Sequence, residues 1–316
     1  MTRHIHTLML LLGVLVLPSS CIKEDFDDCD NVEIHFRYLA DGKQDVLSQY
    51  VKQINLYVFD ESGKRVDMRQ YGEGELKGSA INSSFRLTPG SRYKFVAVGN
   101  AYSRTEVKGT ESETDLGKMY IHHPQSRGEA RVDGQDHNYL GSEEITVPLT
   151  DKEFQVLRDT VTLFSAHINT DIEIFGLNAP GREAKAMPYT VRIEQANERT
   201  FLNRLVSTQD KTVCVPELVY DAERACYHTV ELALFRMDNG EGLSPELCCH
   251  ELVVEDAQTG QELAREPLYD YIRSNTEHIQ VTRQEAELPV AVHFYETNVE
   301  IKLPEWIIVD GKPEWN

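Results

Sequence analysis

The chain has 316 residues, with 32 basic side chains against 52 acidic ones and a formal net charge of −20 at pH 7. Such a surplus of negative charge repels nucleic-acid phosphates at long range, which excludes DNA and RNA as partners. Even without a leader of about twenty residues the length exceeds what one hydrophobic core usually organises, so two domains are expected.

Residues 1–20 read as a secretory signal peptide, with Arg3 in a short n-region, an apolar run from Leu8 to Leu17, and Ser19 and Ser20 before Cys21. The run makes a helix of about 15 Å, half the hydrocarbon thickness of a bilayer, which is too short to span it. Cys21 at the cleavage point resembles the acylated cysteine of a bacterial lipobox. That box has leucine where this chain has Pro18, and Leu17 lies one position earlier. Palmitate-type chains on Cys21 hold a mature protein on the outer membrane, because each buried methylene contributes about 0.8 kcal/mol. Ordinary secretion with an unmodified Cys21 is the alternative. No later stretch approaches the length of a membrane-spanning helix.

Residues 21–30 form an acidic tether. Within it Lys23, Glu24 and Asp25 resemble the surface-export signal of Bacteroidetes lipoproteins, and a solvated spacer is the plainer reading. Its aspartates lack the glycine turn and distal glutamate of an EF-type calcium loop.

Further on, the apolar period is that of strands. Val32 to Tyr38 alternates apolar and polar residues, as does a half-buried strand. Ile54 to Phe59 runs into Asp60-Glu61-Ser62-Gly63 and returns as Lys64 to Met68, a hairpin whose glycine can take positive φ. Phe85-Arg86-Leu87, Pro89-Gly90 and Tyr93 to Val98 make a second such unit. Between Ala101 and Gly141 the period fades, and long surface loops with one short helix are expected. Strands resume at Glu144 to Leu149, Thr160 to Ile168 and Ile172 to Phe175. Others follow at Tyr189 to Ile193, Lys211 to Val215, Thr229 to Arg236 and Glu251 to Val254, with a C-terminal pair over Pro289–Glu296 and Val299–Val309. The phrase Leu56 to Lys64 resembles Leu252 to Gln261: a strand leaves through acids and a glycine into a polar return. Two related β-sandwiches, residues 31–160 and 161–316, account for this spacing.

Catalytic patterns are missing from the sequence. His250-Glu251-Leu252-Val253-Val254 starts like a zincin helix but has valine at the second ligand position. Gly72 to Gly78 departs from dinucleotide spacing and carries two acids that repel phosphate. His122-His123 reads as a solvated loop pair, and Cys248-Cys249-His250 is too tightly spaced for tetrahedral zinc. No cofactor or metal is expected, and the protein reads as no enzyme. With Cys21 acylated, the other cysteines, Cys29, Cys214, Cys226, Cys248 and Cys249, are odd in number and cannot all pair; Cys214 and Cys226 bracket a hairpin and are an open candidate pair. Asp159-Thr160-Val161 resembles the O-glycosylation acceptor of exported Bacteroidetes proteins.

Together, Cys21-Ile22-Lys23-Glu24-Asp25 with Cys29, Leu56 to Gly63, and Leu87 to Asn100 resemble the fimbrial anchor lipoproteins of Bacteroidetes, the minor-fimbrium anchor family. The resemblance covers most of the mature chain. It implies two transthyretin-like β-sandwich domains in tandem, no enzyme activity, and a part in fixing a fimbrial shaft to the outer membrane through other fimbrial subunits. Assembly by strand exchange would need an alternating donor strand, and Val299, Ile301 and Leu303 ahead of Pro304 have that alternation. Ordinary pairing as an edge strand is the plainer reading. The rival class is a surface glycan-binding lipoprotein that contacts host or glycan through exposed aromatics such as Tyr102, Tyr120, Trp306 and Trp315.

Overall fold

Alternating apolar residues become strands along almost the whole chain. The computed structural model describes residues 29–76, 83–126, 131–149, 156–176 and 188–309. In the N-terminal half the strands are β1 (Val32–Arg37), β2 (Ile54–Asp60), β3 (Arg65–Tyr71), β4 (Ser83–Phe85) and β5 (Arg92–Gly99). Three short strands follow, β6 (Glu106–Lys108), β7 (Tyr120–His122) and β8 (Arg131–Val132), then β9 (Tyr139–Thr146) and β10 (Leu157–Thr162). The C-terminal half starts with β11 (Phe164–Ser165), β12 (His167–Phe175), β13 (Tyr189–Asn197), β14 (Arg199–Phe201) and β15 (Lys211–Cys214). It continues with β16 (Leu218–Asp221), β17 (Cys226–Thr229), β18 (Leu232–Phe235), β19 (Glu251–Asp256), β20 (Glu262–Pro267), β21 (Glu287–Phe294) and β22 (Val299–Lys302). Helices among the described residues are short: α1 (Leu47–Tyr50), α2 (Glu73–Leu76), α3 (Leu268–Ser274) and α4 (Glu305–Val309).

In the N-terminal half the sheets β10-β1-β4 and β11-β9-β5-β2-β3 share a core. Ile34, Phe36, Phe85 and Val161 meet Leu56, Val58, Phe95 and Ala97 there. The residues of β1 that contribute, Val32, Ile34 and Phe36, are two apart, as strand geometry requires of one face. Each such side chain, once buried, stabilises the fold by about 1.5–3 kcal/mol. In the C-terminal half β20-β19-β13-β15-β8 and β16-β17-β12-β21-β22, with β18 against β12, enclose a second core. Ile168, Ile172, Ile174, Val290 and Val292 pack there with Val191, Ile193, Leu252 and Val254.

A third cluster lies on the other face of the β5-β2 sheet. Tyr57, Phe59, Val96, Val98 and Leu140 pack against Met119 and Ile121 and, from the C-terminal half, Ala166, Leu202 and Phe235. Among the described residues of 101–141 the expected loops and turns predominate, but three short strands stand in place of the expected short helix and the segment is not all at the surface. Met119 and Ile121 are fully buried, and β6, β7 and β14 form a small sheet over the cluster. Strands of two or three residues are too short to show a period, and this hides them in the sequence.

Main-chain pairing joins the two halves in both directions. β8, from the N-terminal half, runs parallel to β15, with Val213 opposite Arg131 and Cys214 opposite Val132. In return β14 pairs with β7, Arg199 opposite His122 and Phe201 opposite Tyr120. β10 itself crosses residue 160 and stays with β1, and β11 joins the edge of β9.

The repeated sequence phrase is a repeated structure. At the β2–β3 turn Asp60 Oδ1 accepts from the Ser62 and Lys64 amides at 2.9 and 3.0 Å, and Gly63 has φ +79. At the β19–β20 turn Asp256 Oδ1 accepts from the Gln258 and Thr259 amides at 2.9 and 2.7 Å, and Gly260 has φ +69. Both turns thus use an Asx bond and a left-handed glycine to reverse the chain. The halves also share a topology: the opening long strand pairs in parallel with the closing one, β1 with β10 and β12 with β21.

Near the C-terminus the expected strand over Val299–Val309 is cut short. Pro304 cannot continue a ladder, and Glu305–Val309 turns into α4. Helix α3 was not legible as a separate element; it buries Leu268, Tyr271 and Ile272 at helical spacing, and the Tyr271 hydroxyl donates to the Pro289 carbonyl at 2.8 Å.

Candidate functional site

Cys21, Lys23, Glu24 and Asp25 lie outside the described residues, so the acylation and export readings rest on sequence. The end of the tether is described. Cys29 is exposed with a free thiol, and two residues later Asn31 is pinned into the fold. Its amide donates to Phe85 O at 2.9 Å, its side-chain nitrogen to Leu87 O at 2.7 Å, and its side-chain oxygen accepts from the Leu87 amide at 2.8 Å. An asparagine side chain here extends the β1–β4 ladder by a rung that the backbone alone could not supply.

The candidate exchange residues Val299, Ile301 and Leu303 sit at the outer edge of the β12-β21 sheet. β22 pairs antiparallel with β21, Val299 opposite Phe294 and Ile301 opposite Val292. Val299 is 36% exposed, Ile301 packs against the C-terminal core, and Leu303 is buried just past the strand. The strand is short and carries Glu300 and Lys302, features that keep an edge from pairing with strangers.

On the outer face of that sheet a carboxylate is buried under the chain's last described segment. Glu173 of β12, 2% exposed, is paired with Arg224 and accepts from Trp306 Nε1 of α4 at 3.2 Å. Beside it a groove of about 320 Å³ is lined by Asp171, His228, Glu287, Pro289, Trp306 and His137, among others. Burial lifts the Asp171 carboxyl above its usual range, with Arg224 and His228 opposing. Its lining mixes acidic, basic and hydroxyl groups with one indole.

The aromatics read as sugar platforms divide. Tyr102 and Trp306 are exposed at 45% and 43%, whereas Tyr120 lies under the Arg199 guanidinium at 4.5 Å and packs edge-on to Phe201 and His122. Trp315 lies outside the described residues.

His122 and His123 are not solvated, contrary to the sequence reading. Both are buried, because Tyr120–His122 is a strand in the sheet that covers the third cluster. Burial lowers their proton affinity, and Glu106 and Asp133, each 3.2 Å away, restore only part of it. His122 also bridges Ser126 Oγ, 3.2 Å from Nδ1, and Glu106. The connectivity is that of a proton relay, but Ser126 is buried at 2% and its hydroxyl donates to His123 O at 2.7 Å.

Cys214 and Cys226 are both free and buried, on β15 and β17 of different sheets. The hairpin they seemed to bracket is β16–β17, and only Cys226 belongs to it. Burial pushes the Cys214 and Cys248 thiols up to about 12, which suppresses the thiolate and its reactivity. Among the described residues no group of three or more histidine, cysteine or acidic side chains is arranged to hold a metal ion.

Comparison with known proteins places this architecture. A candidate adhesin from Bacteroides ovatus superposes with a TM-score of 0.67 at 17% identity, covering 87% of this chain and 93% of that one. The fimbrial anchor protein Mfa2 from Porphyromonas gingivalis gives 0.61 at 14% identity, covering 85% and 96%. A candidate polysaccharide-binding protein from Bacteroides thetaiotaomicron VPI-5482 also gives 0.61, at 14% identity over 87% and 98%. At these identities the likeness is one of fold. No curated protein matches the chain by sequence. The family model of the fimbrillin-A associated anchor proteins Mfa1 and Mfa2, however, matches residues 26–312, from the acidic tether to beyond α4. A match over residues 26–312 takes in almost all of the described chain, and to that family of fimbrillin-A associated anchor proteins this chain belongs.

Proposed function

We propose that this fimbrial accessory protein is a non-enzymatic lipoprotein of the outer membrane, acylated on Cys21, that holds a fimbria at the cell surface. The observation that carries the reading is the family match over residues 26–312, which begins five residues after a cysteine in lipobox position. Two or three acyl chains suffice for stable attachment. The acidic tether keeps a body of the same charge sign off an anionic membrane, and Lys23-Glu24-Asp25 directs it to the outer leaflet. In this reading the chain forms two sandwiches, with the boundary expected at residue 160 moved past β10 and β11, which pair with β1 and β9 of the first. Contact with the neighbouring fimbrial subunit is made at a sheet edge by strand exchange, with Val299, Ile301 and Leu303 the candidate strand.

Replacement of Cys21 by alanine tests the anchoring role. Fimbriae then shed into the medium or overgrow, and mass spectrometry of the wild-type N-terminal peptide shows the acyl mass on residue 21. Fimbriae that stay attached and of normal length in the Cys21→Ala strain refute it. For the assembly edge, a pull-down of fimbrial subunits with Ile301→Asp is informative: lost capture by a folded variant supports β22, and full capture assigns the contact elsewhere.

A further inference from the structure

We infer that the fold is built to carry tension between its tether and its C-terminal edge, through two parallel strand ladders in series, each loaded in shear. The source of the pull rests on the anchoring role proposed above; the mechanical property of the ladders does not.

The first ladder is β1 with β10. Six residue pairs are in register from Val32 opposite Leu157 to Arg37 opposite Thr162, a length of about 20 Å. Because the strands are parallel, the tether enters at one end, beside Leu157, and the chain leaves β10 at the other, beyond Thr162. A pull on the tether against the rest of the molecule therefore acts along the strands. The rungs of a parallel ladder are evenly spaced, so sliding one strand past the other strains them together. A pull from one end on two neighbouring strands opens them one at a time.

The rungs are dry and reinforced. Val32 and Ile34 are fully buried on β1, as is Val161 on β10. The ladder is closed at one end by the Leu157 amide on Asn31 O at 2.9 Å and at the other by the Leu163 amide on Arg37 O at 2.8 Å. By the alternation of a parallel pair, Asp159 and Val161 are the donors in between. Side chains tie the strands across the same edge: Arg158 Nε donates to Glu33 Oε2 at 2.6 Å, and Arg37 Nη2 to Thr162 Oγ1 at 3.0 Å.

The second ladder repeats the arrangement. β12 and β21 are parallel over seven pairs, Asn169 opposite Glu287 to Phe175 opposite His293. The near end is held by the Asn169 amide on Ala286 O at 2.9 Å, and the far end by the stacked rings of Phe175 and His293, 4.5 Å apart. β10 ends at Thr162 and β12 starts at His167, with only β11 and its flanking residues between, so tension passes from one ladder to the next with little slack. β21 then leads into β22, the edge proposed to meet the next subunit. An ordinary up-and-down sheet has no reason to place an early long strand and a late one side by side and parallel; here both halves do so.

Single-molecule force spectroscopy on the full chain tests this. Held at the N-terminal tether and at a handle on Tyr295, the exposed residue where β21 leaves its ladder and before the antiparallel β22 turns back, the protein ruptures at a force several-fold above that found when it is held at the tether and at a handle on Thr88. That exposed turn lies at the same end of β1 as the tether, next to Leu87, so this second geometry peels β1 from β4. Asp159→Pro, which removes a donor from the first ladder, lowers the lengthwise force and leaves the peeling force unchanged. Equal forces in the two geometries overturn the inference, as does an unaltered lengthwise force in a folded Asp159→Pro variant. If that variant does not fold, the comparison of geometries on the wild-type chain decides alone. Normal attachment of fimbriae in the Cys21→Ala strain would remove the source of the pull and leave both measured forces as they are, so the two readings fail separately.

Discussion

The Tyr139 hydroxyl donates to Glu285 Oε1 at 3.1 Å across 146 residues of sequence, tying β9 of the N-terminal half to the segment that leads into β21. Tyr38 donates to the same oxygen. Burial lifts the Glu285 carboxyl above its usual range and the two hydroxyls draw it part of the way back. Around it the Ser165 amide donates to Gln284 Oε1 at 2.9 Å and the Gln284 amide to Asp41 Oδ1 at 3.0 Å, so the segment is stitched to the N-terminal half at several points.

Glu285→Ala leaves two tyrosine hydroxyls without their acceptor and destabilises the fold by about 1–3 kcal/mol for each one stranded. Glu285→Gln keeps an acceptor and removes the charge. A carboxyl whose folded pKa is raised stabilises the fold at low pH and loses that contribution as pH rises through the folded value. At pH 7 the glutamine variant is therefore as stable as the wild type or more so, and its advantage narrows as the pH falls towards the carboxyl range. Denaturant titrations at both pH values measure this; a glutamine variant as unstable as the alanine one would show that the charge itself holds the halves together.

His167 and His250 are buried, and burial first, with neighbouring positive charge second, pushes both down to about 3. His167 Nδ1 faces Asn138 O at 3.0 Å, and the His250 ring sits by the Asn197 amide. Between about 6.5 and 3 the unfolded chain binds protons at these positions that the folded one does not, so stability is lost as pH falls through that window. The slope approaches about 1.4 kcal/mol per pH unit for each histidine below the unfolded pKa. Unfolding midpoints between pH 7.5 and 5 should fall steeply in the wild type and less steeply in a variant carrying His167→Asn and His250→Gln, which keep the local hydrogen-bonding atoms. A slope unchanged by the double replacement would assign the effect to other groups.

Gly63 and Gly260 hold the same place in the two Asx turns, yet their replacement by alanine costs different amounts. Both would force a side chain into the left-handed region, at about 1–2 kcal/mol. At Gly63 the new methyl group would also overlap Thr114 Cβ and lie 2.8 Å from its carbonyl oxygen, whereas nothing approaches Gly260 within 4 Å. Thermal melts of Gly63→Ala and Gly260→Ala should separate the two, with the larger loss at residue 63. Equal shifts would mean that the loop carrying Thr114 gives way freely.

Gly141 lies under the crossing of β10 over β9. A methyl group there would overlap Thr162 O and come within 3.1 Å of Leu163 Cδ2. Gly141→Ala should cost about 1–3 kcal/mol by overpacking, or more because the obstacle is backbone. Circular dichroism should show a lower melting temperature with the strand content retained, and a melting temperature equal to wild type would show that β10 can move away.

The β character of the chain was legible because β2, β5 and β12 are alternating or apolar runs of seven to nine residues, and the hairpin turns declare themselves through Asp60 with Gly63 and Asp256 with Gly260. What lay between Ala101 and Gly141 was illegible. β6, β7 and β8 are two or three residues long; β7 and β8 find partners in β14 and β15 of the other half, and β6 pairs with β7. His122 and His123 were misplaced for the same reason: burial of a short strand depends on what covers it. Likewise Val299–Lys302 alternated visibly and Pro304 marked its end, but the turn of Trp306 over Glu173 depended on the neighbouring sheet face.

By itself the sequence determined the local chemistry: an apolar run, a cysteine and an acidic stretch at its start, strand periods, Asx-glycine turns, and the lack of a catalytic pattern. These are properties of residues within a few positions of one another, which bond or repel whatever the rest of the chain does. Only the tertiary structure decided that β1 lies parallel to β10 and β12 to β21, that the halves exchange β8 and β14, and that Glu285 meets Tyr38 and Tyr139. Such contacts join residues roughly eighty or more positions apart, where the free energy of packing and main-chain pairing selects one partner among many that local preference leaves equivalent.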